Sequence, residues 1–97
     1  MILHLDYFYN TCMETEAEYN RLVWHSRRGM LELDLMLGPF VKECYRALAE
    51  DDKARYRQLL ECEDQDLFSW FLGRAAPQDE DLVTIVGKIL AYSRAAD

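Results

Sequence analysis

Arg27-Arg28-Gly29-Met30-Leu31-Glu32-Leu33-Asp34 joins two helical patterns, and reading it as a corner decides the fold. Upstream, Thr15-Glu16-Ala17-Glu18 has the arrangement of a capping box, a hydroxyl for a first-turn N–H and a carboxylate that reaches back to the cap. Tyr19, Leu22, Val23 and Ser26 then share one helix face, with Trp24 to its side. Arg27 and Arg28 place positive charge at the negative end of that helix dipole, and Gly29 ends the run. Downstream, Met30, Leu33, Leu37, Phe40, Val41, Cys44 and Leu48 keep one helical phase across Gly38-Pro39. Pro39 cannot donate to residue 35 and its ring crowds that carbonyl, which predicts a kink or a break into two shorter helices.

The remaining patterns are helical too. Asp51 or Asp52 is placed to cap a third helix, with Tyr56, Leu59 and Leu60 facing inward and Lys53, Arg55 and Arg57 solvated. Asp64 starts a short fourth, whose buried face is Leu67, Phe68, Phe71 and Leu72 and whose end is Gly73. Beyond Pro77 a last helix begins near Asp79, with the stripe Leu82, Ile85, Val86, Ile89, Leu90 behind the acids Asp79, Glu80 and Asp81. No strand alternation or repeat interrupts this series. The fold expected is all-α, a small compact bundle of five helices. Residues 14–97 form its single domain, and residues 1–13, apolar but without a helical stripe, are expected to be a frayed N-terminal extension. That segment lacks the basic start and small-residue cleavage site of a signal peptide.

Size and charge exclude much. A chain of 97 residues has room for one hydrophobic core. Its 11 basic and 18 acidic residues give a formal charge of -7, which repels phosphate backbones and anionic lipid headgroups, so neither nucleic acid nor a membrane surface is an expected partner. The uncharged stretch Leu35 to Val41 is far short of the roughly 20 apolar residues of a membrane span. Cys12, Cys44 and Cys62 are an odd set without metal or disulfide spacing, which fits a reducing cytoplasm.

Catalytic chemistry is equally sparse. His4 and His25 lie too far apart to share a helix face, and neither has a Cys or carboxylate at metal-ligand spacing. Cys44 sits on an apolar stripe, where a thiol behaves as a small hydrophobe. Glu61, Glu63, Asp64 and Asp66 lack the calcium-loop pattern and suit helix capping, while Phe68, Trp70 and Phe71 suit a small core. No metal, no resident cofactor and no enzymatic activity are expected.

The Arg-Gly-x-x-Glu corner carries two readings. In the structural one, Gly29 closes the first helix and caps the second, while Glu32 returns a hydrogen bond to the cap. In the functional one, a glycine corner lets a partner backbone approach closely, with Arg28 and Glu32 projecting beside it as charge-assisted donor and acceptor. Arg21, His25, Arg27 and Arg28 also make a concentrated positive patch suited to an acidic partner surface.

Trp24-x-x-Arg27-Arg28-Gly29-Met30-x-Glu32-Leu33-Asp34, followed by Leu59-Leu60-Glu61-Cys62-Glu63-Asp64-Gln65-Asp66-Leu67-Phe68-Ser69-Trp70, resembles the succinate dehydrogenase assembly factor family, the flavinator proteins called SdhE in bacteria. The resemblance runs from about Tyr19 to Tyr92. It implies a monomeric chaperone of the flavoprotein subunit of succinate dehydrogenase, and often of fumarate reductase, that promotes covalent attachment of FAD to a histidine of that client. The flavin would belong to the client, and the factor would hold a near-attack geometry without a catalytic group of its own. The docking residues implied are Arg28, Gly29 and Glu32, followed by Arg21, Arg27, Met30 and Asp34. Relatives have also been labelled antitoxins of toxin-antitoxin pairs, the alternative reading for an acidic helical binder.

Overall fold

The computed structural model of the protein describes residues 15–96, so the extension expected over residues 1–13 lies outside the described residues. Five α-helices are described, α1 (Glu16–His25), α2 (Leu31–Glu43), α3 (Glu50–Leu60), α4 (Asp64–Phe71) and α5 (Glu80–Ala96), with a 3-10 turn at Tyr45–Ala47 between α2 and α3. The all-α bundle expected from the periodicity is the fold observed.

Helix α1 starts as its capping box dictates. The Glu18 N–H donates to Thr15 Oγ1 at 3.1 Å, and the Thr15 N–H donates to Glu18 Oε1 at 2.9 Å. Helix α2 runs continuously through Pro39, which settles the alternative of a break against it. Leu35 and Pro39 are both exposed, so water can serve the carbonyl that proline leaves without a donor.

The core is formed by Leu33, Leu37, Phe40 and Val41 of α2, Tyr56, Leu59 and Leu60 of α3, Leu67 of α4, and Leu82, Ile85, Val86 and Ile89 of α5. Helix α5 packs along both α2 and α3, while α1 and α4 lie against α2. The phase of α2 does not carry to Leu48 as expected. The chain tightens into the 3-10 turn, and Tyr45 enters the core with its ring centroid 5.6 Å from that of Tyr56.

Two expectations for α3 are corrected. Its N-cap is Ala49, with no side-chain cap, so Asp51 and Asp52 lie within its first turn. Asp52 is buried and turned toward α5, pairing with Arg55 Nη1 at 2.8 Å and Lys88 Nζ at 3.4 Å. Lys53 is also buried, with its ammonium 5.6 Å from the Tyr45 ring centroid. Arg55 bridges to Asp81 at 2.8 Å and Arg57 Nη1 donates to the Tyr45 hydroxyl at 2.8 Å. Arg57 itself stays exposed, as expected. For Lys53 and Arg55, a three-turn helix lying on α5 and beside Tyr45 leaves aliphatic surface to cover, which sequence charge alone does not reveal. Leu72, expected inside, is the C-cap of α4 and is exposed.

Candidate docking site

The site is built from the end of α1 upward. Ser26 is buried at the C-cap, and its hydroxyl donates to the Leu22 carbonyl at 2.9 Å. That uses its one proton, so in the 2.7 Å contact between Ser26 Oγ and Tyr56 Oη the tyrosine is the donor. Burial pushes the Tyr56 hydroxyl well above its ordinary range, which keeps this donor protonated. The end of α1 is thereby pinned to the middle of α3.

The chain then turns through Gly29, whose φ of 80° lies in the left-handed region that glycine occupies without a Cβ penalty. Nothing lies within 4 Å of the place a Cβ would take there. The next residue, Met30, is extended and serves as N-cap of α2 without a side-chain hydrogen bond. Glu32 does not return a bond to this cap. Asp34, two residues further on, reaches past the cap instead, its Oδ1 accepting the Arg28 N–H at 2.7 Å.

Arg28 departs most from expectation. Its side chain is only 11% exposed and points inward. Nε donates to Asp64 Oδ1 at 2.7 Å, Nη1 to the Leu60 and His25 carbonyls at 3.0 and 3.3 Å, and Nη2 to the Cys62 carbonyl at 2.8 Å. The last carbonyls of α1 and α3 lack intrahelical donors, and the guanidinium fork supplies them while meeting the carboxylate at the start of α4. One side chain thus joins three helix termini.

Outside this staple lies a groove of about 480 Å3 lined by Arg21, Trp24, His25, Arg27, Gly29 and Asp34. The Arg27 guanidinium stands 5.1 Å from the Trp24 ring centroid, a cation–π contact on a ring that is 68% exposed. Among the described residues neither Arg21 nor Arg27 meets a carboxylate, whereas Arg28, Arg46, Lys53, Arg55 and Lys88 all do. Glu32 is likewise exposed, with its carboxylate unpaired among the described residues. On either side of it along α2 stand Leu31 and Leu35, 69% and 64% exposed.

Of the residues singled out in the sequence, Arg21, Arg27, Gly29 and Asp34 come together in the groove. Glu32 lies on the open surface of α2, Met30 is half-buried against the core, and Arg28 is behind the surface. His25, part of the positive patch read from the sequence, also lines the groove, whereas Trp24, Leu31 and Leu35 are not among the docking residues the sequence suggests. The signal for Trp24 was a large aromatic residue beside the apolar stripe of its helix; the two leucines fall off the phase of α2 in the same way.

Other chemistry has little footing here. Burial and the nearby Asp66 push the Cys62 thiol up, and burial with Glu43 does the same for Cys44, so both thiols hold their protons at neutral pH. No cluster of three or more potential metal ligands occurs among the described residues. No helix among them is long and apolar enough to cross a membrane.

A corner of two helices carrying unpaired charges and exposed apolar side chains, on a bundle this small, defines a helical binding module. Residues 20–93 match the model of a family described as flavinator of succinate dehydrogenase. FAD assembly factor SdhE of Pseudomonas aeruginosa is 59% identical over 78 residues, covering 80% of this chain and 93% of that protein. The protein of the same name from Vibrio parahaemolyticus is 42% identical over 81 residues, covering 84% and 94%. The solution structure of a UPF0350 protein superposes with a TM-score of 0.72 at 38% identity, covering 87% of this chain and 89% of that one. The chain belongs to the succinate dehydrogenase flavinator family.

Proposed function

We propose that this protein is an FAD assembly factor that docks on the flavoprotein subunit of succinate dehydrogenase and promotes covalent attachment of FAD to it. Membership of the flavinator family is the observation that carries this reading. The surface around Gly29 agrees with it, because an open left-handed corner beside an unpaired carboxylate and two guanidiniums without a carboxylate partner among the described residues is what a partner's backbone and charges require.

The flavin, bound in the client, supplies the ring to which the new bond is made. This chain contributes position. By holding the client so that the reacting groups stay in a near-attack arrangement, it replaces an entropic cost of the uncatalysed step. No stable hold on FAD is part of the proposal. The first turn of α2, where a flavin pyrophosphate would meet free N–H groups, carries Glu32 and Asp34, so phosphates there would face carboxylates. The same docking serves the flavoprotein of fumarate reductase in this proposal, with the factor acting as a cytoplasmic monomer.

The test is co-expression with a succinate dehydrogenase flavoprotein subunit in a host lacking its own factor, with covalent flavin read by in-gel fluorescence. A signal that depends on this chain is expected. The same signal without it would overturn the assignment.

A further inference from the structure

We propose that Leu31 and Leu35 form an apolar collar beside the Glu32 carboxylate, and that the flavoprotein client meets it with an apolar patch bordered by a hydrogen-bond donor. The inference rests on the docking function proposed above and names the chemistry of the client surface. Leu31 and Leu35 stand one helical turn apart on α2 and so share a face, and both are about two-thirds exposed. Glu32 precedes Leu35 by three residues, which makes the two neighbours on the helix surface and puts the carboxylate on the flank of the leucine pair. It has no partner among the described residues. The collar continues into the groove at Gly29 and Asp34, since the corner and the first turn of α2 are consecutive in the chain.

Charge selects the occupant. A second copy of this chain would bring another formal charge of -7 and, across a two-fold axis through this face, would set Glu32 against Glu32 inside an apolar rim. An anionic lipid surface is repelled for the same reason. A client that closes on the leucines and offers a cationic side chain or a free N–H to Glu32 satisfies both features. Water excluded by the leucines strengthens the bond made beside them.

The experiment is calorimetric titration of the purified, non-flavinylated flavoprotein subunit with wild type, with the double variant Leu31→Ser/Leu35→Ser, and with Leu72→Ser, which alters an exposed leucine at the end of α4. The double variant should bind at least tenfold more weakly, with a smaller negative heat-capacity change and an unchanged thermal midpoint, while Leu72→Ser should bind as wild type. Equal affinity and heat-capacity change for wild type and the double variant would overturn the collar while leaving the docking function standing. Absence of binding by wild type would overturn the docking function itself. A wild type that sediments as a dimer and a double variant that sediments as a monomer would assign the collar to a second copy and overturn the proposal.

Discussion

Arg28 Nε donates to Asp64 Oδ1 at 2.7 Å, and through this contact the corner between α1 and α2 is held by the start of α4. The two residues lie in the two sequence motifs that carry the family resemblance. Their contact explains why those motifs belong together: the second one anchors the first.

Arg28→Ala should therefore act first on stability. It leaves the Leu60 and Cys62 carbonyls and the Asp64 carboxylate without their donor, and about 2–4 kcal/mol should be lost. On a domain of this size that lowers the thermal midpoint by roughly 10 °C or more. Arg28→Lys should recover only part, because a single ammonium cannot reach all four acceptors. Thermal melts followed by far-UV circular dichroism check both variants, and equal midpoints for Arg28→Ala and wild type would contradict the staple.

Gly29 separates strain from docking. Gly29→Ala should cost about 1–2 kcal/mol through its positive φ alone, since its Cβ meets nothing within 4 Å. Gly29→Arg carries the same strain and projects a long side chain into the corner. Both should remain helical by circular dichroism, and only Gly29→Arg should abolish co-purification with the client.

Ser26 and Tyr56 act as a unit. Ser26→Ala leaves the buried Tyr56 hydroxyl without its acceptor, at about 1–3 kcal/mol, whereas Tyr56→Phe leaves Ser26 its bond to Leu22 and should cost about 0.5–1.5 kcal/mol. The double variant should lose less than the sum, which denaturant unfolding of the four proteins in a double-mutant cycle would measure.

Acid should loosen the contact between α3 and α5. Burial alone would raise the Asp52 carboxyl, but hydrogen bonds and charge from Arg55 and Lys88 outweigh it and hold the group below its ordinary range. A carboxyl depressed in the folded state adds stability that is complete above its unfolded value near pH 4 and is lost as pH falls from there through the folded value. Asp52→Asn should be less stable than wild type at neutral pH, with the difference shrinking below about pH 4 in urea melts.

Much of this architecture was legible in the sequence because its signals are local. The Thr15–Glu18 capping box, the apolar stripe of α5 and the glycine stop at Gly73 each depend on neighbours within a few residues, whereas α1 ends at His25, short of the Gly29 turn. What escaped depends on partners distant in the chain. Arg28 reads as a surface charge until Asp64 and the end of α3 are brought beside it, and Lys53 reads as solvated until the Tyr45 ring is brought near its ammonium. The corner's position was legible; the division of labour within it was not. Arg28 and Asp34 hold the corner, while Glu32, Arg21 and Arg27 make no ion pair on its surface among the described residues.

The most direct test of docking through this corner is covalent flavin on the co-expressed client with Glu32→Ala in place of wild type. Glu32 makes no internal bond among the described residues, so its removal should leave the thermal midpoint unchanged. Flavin fluorescence of the client band should fall to the level seen without the factor. A Glu32→Ala protein that supports the wild-type signal would contradict docking through the exposed face of α2.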